Sequence, residues 1–174
     1  IPRKRKSFAG PVIEVAERMD RDGTPSGTPE LQKIIKSAQL YRESGYKVAV
    51  VSFLNSYINN ENESILVKEL EKLGFQIVIG SADLHPFIKW LPRCESAVLE
   101  AYLYPVLDEY LNNIIIGLGK SAQLFVMNSA GGLIERTHYR AVDSLLSGPA
   151  GGVVGACSVA KRAGLTKFIN LDMG

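Results

Sequence analysis

The sequence predicts an α/β fold of mainly parallel strands with a helical crossing segment, and three observations predict it. Stretches with apolar residues at helical spacing alternate with short β-branched runs. The runs are apolar throughout, as in strands covered on both faces, and glycines close the helices just ahead of them. Helix, strand, helix, strand with short connections implies right-handed crossovers and therefore parallel pairing.

Taken in order, Val12 to Met19 reads as a strand running into the turn signals "RDG" and "TPSG". Thr28 is placed to cap a helix with Pro29 at its first position, and Leu31, Ile34, Ile35, Ala38 and Tyr41 give that helix an apolar face up to Gly45. "YKVAVVSFL" is the next buried strand. "NNENESILVKELEKLG" is a helix with Leu66, Leu70 and Leu73 inward and Gly74 at its end, and "FQIVIGS" is the strand that follows. "LPRCESAVLEAYLYPVLDEYLNNIIIGLG" is a long helical stretch that Pro105 is expected to kink or split. A buried strand from Leu124 to Met127, a last helix from Val153 to Ala163 and a last strand in "KFINLDMG" complete the chain. The expected division has residues up to Glu95 as the sheet-and-helix layer and Ser96 onward as the helical crossing and the start of a second region.

Composition narrows the function classes. With 174 residues, 46% hydrophobic and 22% charged, the chain has the profile of an ordinary globular protein. A formal charge of +2 is too mild to argue for nucleic acid, and much of the basic excess sits in Arg3 to Lys6, which reads as a solvated terminus. Cys94 and Cys157 lie far apart without CxxC spacing, so neither zinc nor a disulfide framework is suggested, and a reducing cytoplasm fits. No apolar run approaches the roughly 20 residues of a membrane span. A chain that starts Ile-Pro-Arg and stops one residue after Met173 reads as an internal fragment.

Ligands of open parallel sheets gather beyond the carboxyl ends of the strands. Those ends are expected at Asn55–Tyr57, Gly80–Pro86, Asn128–Gly132 and Leu171–Gly174. "SGPAGG", Ser147 to Gly152, stands ahead of a helix and can offer backbone N–H groups and the positive helix end to an anion; a turn that lets a helix pack closely explains it equally well. It is neither a Walker A loop nor GxGxxG after a strand. Asp172, where an apolar strand emerges, would be costly to bury unpaired; it suits positioning a metal ion or water near a phosphate, and a helix cap would also account for it. His85 and His138 read as surface or loop-anchoring residues. Ser129 and Ser147 have no nucleophile-elbow context, Glu14 and Glu17 would face opposite sides of a strand, and Trp90 suits a core or interface anchor.

The ordered strings "IPRKRK", "ERMDRDG", "VAVVSFLNSYINNENE", "VIGSADLHP", "AYLYPVLDEYL", "FVMNSAGGL", "LLSGPAGGVVGA" and "INLDMG" carry a resemblance over nearly the whole chain. In that order they resemble the hydantoinase/oxoprolinase family of ATP-dependent N-methylhydantoinases, 5-oxoprolinases and acetone carboxylase subunits. The resemblance implies an actin/Hsp70/sugar-kinase-like, ribonuclease H-like fold, with residues 1–95 from the family's N-terminal region and 96–174 from the start of its catalytic region. It implies ATP and Mg²⁺ as cofactors, "DMG" as the opening of a second phosphate hairpin, and Asp172 as the catalytic and metal-neighbouring carboxylate. Gly174, Ser147, Gly148, Gly151 and Gly152 are then cofactor-binding positions, with Gly131 and Gly132 in a loop near the same cleft. A small cyclic amide of hydantoin or 5-oxoproline type is the implied substrate, with a hydantoinase B-like (HyuB-like) or carboxylase partner subunit and an oligomeric assembly, and with neither nucleic acid nor membrane as partner. An acetone carboxylase-type subunit and a non-catalytic scaffold fragment are the alternatives. "FIKWLPRCESAV" departs from the family pattern: it keeps Arg93 but has Lys89 and Trp90 where relatives commonly carry an acid.

Overall fold

A computed structural model describes residues 9–119 and 122–173. The basic run Arg3 to Lys6 and the candidate Gly174 lie outside the described residues. The chain forms two compact units, one up to Tyr102 and one from Leu103.

The first unit opens with a short antiparallel hairpin, β1 (Arg18–Met19) and β2 (Pro25–Gly27). The strand expected from Val12 shrinks to its last two residues, because no strand among the described residues pairs with residues 12–17; Ile13 and Val15 nevertheless pack on the core. Helix α1 (Leu31–Glu43) begins later than the Thr28–Pro29 signal suggests. The Lys33 and Ile34 amides both donate to Glu30 O, which makes Glu30 the capping residue. Strand β3 (Val48–Val51), helix α2 (Glu61–Lys72) and strand β4 (Ile77–Gly80) follow as expected. β3 and β4 pair in parallel, Val48 opposite Ile77 through Val51 opposite Gly80. Gly74, at φ +91°, turns the chain out of α2 into the left-handed region that side chains disfavour, and its carbonyl accepts from Arg42 Nε at 3.1 Å.

Ile34 and Ala38 of α1, Leu66 and Leu70 of α2, and Val51, Phe53 and Phe75 form the core of this unit. Each large apolar side chain so buried contributes about 1.5–3 kcal/mol. After a single turn of helix, α3 (Ser81–Leu84), comes α4 (Trp90–Leu118), in which the division between the units falls. α4 runs on through Pro105, so of the expected kink or split the split does not occur; one proline removes one ladder hydrogen bond, and the remaining turns on either side keep the helix continuous.

The second unit contains an antiparallel hairpin, β5 (Phe125–Met127) and β6 (Leu133–Glu135), two 3₁₀ turns (Arg136–His138, Ala141–Ser144) and α5 (Ser147–Arg162). Asp108 of α4 forms an ion pair with Arg136. Three expectations fail here. β5 is a hairpin strand with Phe125 exposed, not a member of a buried parallel sheet. α5 starts six residues before Val153. "KFINLDMG" forms no strand among the described residues, and Leu171 is 92% exposed. A strand exists only by pairing, and nothing described pairs with that segment. Among the described residues one strand pair of three is parallel, which corrects the expectation of mainly parallel strands. Parallel pairing needs a crossover, and only α2 supplies one; tight turns close the other two pairs.

Candidate functional site

Two places in the fold gather polar groups, one in each unit. In the second unit the focus is the entry to α5. Because Ser147 and Gly148 are its first helical residues, their N–H groups have no acceptor within the helix, while those of Gly151 and Gly152 are spent on helical bonds. The preceding Leu146 donates its N–H to Ser129 Oγ at 3.0 Å, and that hydroxyl donates to Asp143 O at 2.6 Å. Ser129 therefore acts as a tie between the β5–β6 turn and the helix entry. Asn128 holds the same turn, its Oδ1 accepting from the amides of Ala130 and Gly132 at 3.1 and 2.8 Å.

The glycines of α5 have distinct surroundings. A Cβ on Gly151 would sit 3.8 Å from Met127 of β5, an ordinary contact. One on Gly152 would lie 2.6 Å from Asp172 Oδ2, so the bare backbone there is what admits the carboxylate. One on Gly131, at φ +81°, would meet Val154 at 2.9 Å. Gly148 has open space around its Cα. The structure thus brings Asp172 against Gly152 in the second turn of the helix that Ser147 and Gly148 open, with Gly131 packed on the same helix and Gly132 beside Asn128; no contact joins Asp172 to Ser147 or Gly148 among the described residues. Among the described residues no three His, Cys, Asp or Glu side chains converge. A lone carboxylate still suits Mg²⁺, which is commonly held by one or two carboxylates together with substrate phosphates and water.

In the first unit the focus is the carboxyl edge of β3 and β4. Glu63, on the inward face of α2, is 1% exposed. Its Oε1 accepts from Phe53 N (2.8 Å), Ser56 Oγ (2.6 Å) and Ser81 Oγ (2.8 Å), and its Oε2 from Ala82 N (2.9 Å). Arg93, on the first turn of α4, is 0% exposed. It donates to the same two hydroxyls at 3.0 Å each, to Leu54 O (3.0 Å) and Phe87 O (2.6 Å), and to Phe53 O. Guanidinium and carboxylate are bridged by two serines, each accepting from Arg93 and lying within donating distance of Glu63. Burial pulls the Arg93 pKa below its ordinary value, opposed by the Glu63 charge.

The sequence strings "NSY" and "GSADLHP" mark this edge, but Glu63 escaped sequence reasoning. A signal was present: Glu63 stands three residues before Leu66 and seven before Leu70, on the face that is otherwise apolar. His85 stacks on Phe87 with ring centroids 5.0 Å apart, the loop-anchoring placement expected of it. Trp90 is partly exposed and donates from Nε1 to Ser52 Oγ at 3.1 Å.

A β–α–β unit with a polar carboxyl edge, followed by a glycine-opened helix, defines an α/β protein of the kind that assembles ligand sites from loops at strand ends and helix entries. Comparison with known proteins narrows this. Residues 3–74 match the model of the hydantoinase/oxoprolinase N-terminal region and residues 93–174 the model of hydantoinase/oxoprolinase. The chain belongs to the hydantoinase/oxoprolinase family. It is 36% identical over 149 residues to 5-oxoprolinase of Saccharomyces cerevisiae, a match covering 84% of this chain and 12% of that protein. Among solved structures, nucleotide-free acetone carboxylase, described as performing ATP-dependent acetone carboxylation, superposes with a TM-score of 0.71 at 30% identity, over 86% of this chain and 22% of the other. The ATP-dependent caprolactamase of Pseudomonas jessenii superposes with a TM-score of 0.78 over 98% of this chain and 27% of its own; at 24% identity that likeness speaks for the fold. The chain thus spans between about an eighth and about a quarter of the length of these relatives.

Proposed function

We propose that this chain is part of an ATP-dependent enzyme that opens a cyclic amide of hydantoin or 5-oxoproline type by phosphoryl activation of the ring carbonyl. The carrying observation is the carboxylate of Asp172 lying against Gly152, in the second turn of a helix whose entry, Ser147 and Gly148, presents backbone N–H groups. Family membership and the likeness to 5-oxoprolinase support the reading. A ring amide carbonyl is a sluggish electrophile, and a phosphoryl group accepted from ATP makes its oxygen a leaving group. Such transfer depends on positioning and on charge stabilisation. Ser147 and Gly148 would face phosphate oxygens, Asp172 would hold Mg²⁺, and Gly152, Gly131 and Gly132 would keep the backbone close enough for that arrangement. Gly174 is assigned to the same phosphate motif.

The fuller fold assignment is actin-like, with residues 1–95 belonging to the family's N-terminal region and 96–174 to its catalytic region. Work in the cytoplasm with a partner subunit belongs to the same proposal. The similarity to acetone carboxylase at 30% identity favours a second reading, a carboxylase subunit using the same nucleotide site.

The test is ATP hydrolysis by the full-length parent with 5-oxoproline, hydantoins, or acetone plus bicarbonate, alongside Asp172→Ala. Stimulation by one substrate class that is lost in the variant is the expected result. No stimulation by any of them, together with no nucleotide binding, would refute the reading.

A further inference from the structure

The entry to α5 keeps fewer free donors than an ordinary helix start. Four N–H groups at such a start normally lack a helical acceptor. Here Pro149 has no N–H, and the amide of Leu146 is taken by the Ser129 hydroxyl at 3.0 Å. Ala150 already closes the first helical bond, to Leu146 O at 3.0 Å. The adjacent amides of Ser147 and Gly148 are the pair that remains, and no hydrogen bond engages them among the described residues.

The β5–β6 turn seats this helix at three points, all within the second unit: Ser129 at Leu146, Met127 beside Gly151 and Gly131 beside Val154. The last two are packing contacts, which are non-directional and tolerate some sliding and rotation of a helix. A hydrogen bond weakens steeply once its angle opens, so the Ser129 contact is the one that fixes where α5 begins and how its first amides point. The hydroxyl is fully committed to this. It donates to Asp143 O at 2.6 Å while accepting from Leu146, and is not poised as a nucleophile.

We infer that Ser129 is a positioning residue of the nucleotide site: by taking the Leu146 amide it narrows the α5 donors to Ser147 and Gly148 and holds that pair in register with a phosphate group of ATP. The inference rests on the function proposed above. Ser129 touches no substrate and acts through the Leu146 backbone.

The experiment uses the full-length parent and measures KM for ATP, KM for the cyclic amide at saturating ATP, and thermal unfolding in Ser129→Ala, Ser129→Thr and Ser144→Ala. Ser129→Ala keeps the backbone bond from Ser129 N to Asp143 O, 2.7 Å, so the turn stays fastened and the loss falls on the helix entry. Ser144→Ala removes a similar hydroxyl bond, 2.7 Å to Ala141 O, without touching that entry. Expected in Ser129→Ala is a rise of about fivefold or more in the ATP KM, with the amide KM changed less than about twofold. Ser129→Thr, which keeps the hydroxyl, and Ser144→Ala should both stay within about twofold of the parent in the ATP KM. An unchanged ATP KM in Ser129→Ala, equal rises in both KM values, an equal rise in Ser129→Thr or Ser144→Ala, or loss of cooperative unfolding in Ser129→Ala would overturn the inference while leaving the proposed function standing. A wild-type parent without amide-stimulated ATP hydrolysis would overturn both.

Discussion

Replacing Gly152 by alanine should make α5 more stable and, on the proposed function, lower substrate-stimulated ATP hydrolysis. Gly152 lies inside the helix, where alanine is favoured over glycine by about 1 kcal/mol, roughly a fivefold shift in a local folding equilibrium. The new Cβ would fall 2.6 Å from Asp172 Oδ2, and reaching the 3.4 Å of an ordinary contact demands that the carboxylate retreat by about 0.8 Å. The proposed function makes Asp172 a catalytic group, and misplacing such a group by about 1 Å can cost on the order of 100-fold. Gly155 supplies the control, because it is in the same helix and a Cβ there would meet nothing within 4 Å. Thermal unfolding and substrate-stimulated ATP hydrolysis of the full-length protein are the assays. Gly152→Ala is expected to lose about 10- to 100-fold in stimulated turnover with no loss of stability, and Gly155→Ala to keep full turnover. Equal turnover in the two variants would refute the claim that bare backbone at Gly152 serves to seat Asp172.

The remaining predictions follow from the same geometry. Gly131→Ala should destabilise the second unit by about 1–3 kcal/mol in denaturant titration, since it forces a side chain into the left-handed region and against Val154 at 2.9 Å. Glu63→Leu should cost about 3–5 kcal/mol by leaving the buried Arg93 without its counter-charge, and the double variant Glu63→Leu/Arg93→Met should recover much of that. Burial first, then the Asp108 charge, raises the Tyr104 pKa above its ordinary value of 10.0, with Arg136 opposing. Its neutral form is therefore favoured by folding; the resulting stability is complete below about pH 10 and is lost as pH rises through the folded pKa. Asp108→Asn should bring the tyrosinate absorption of Tyr104 to lower pH, and no movement would show that the two groups do not interact.

Helices and strands differ in how much of them can be read along the chain. The α1–β3–α2–β4 succession follows from spacing alone: Ile34 and Ala38, then Leu66 and Leu70, mark helical faces, and the runs at Val48–Val51 and Ile77–Gly80 are β-branched between glycine stops. A helix satisfies its backbone from within, so local sequence suffices to specify it, and α4 persists through Pro105 for the same reason. The glycine-rich entry to α5 and the acid at position 172 were likewise visible as candidates. What the chain alone determined is therefore the α1–β3–α2–β4 succession with its parallel crossover, the presence though not the ends of the other long helices, and the residue types available for chemistry.

Tertiary structure decided what depends on a distant partner. Residues 12–17 and 167–172 have strand composition yet no ladder, because a strand's amides and carbonyls must be met by another segment. The direction of β5 depended on Leu133–Glu135 folding back beside it. Glu63 looks like one more acid of a charged helix until Arg93, thirty residues further on, reaches the same two serines. Gly152 becomes more than a flexible residue only when Asp172 comes to rest against it. These are contacts between residues far apart in the chain, and it is the folded chain that sets their distances.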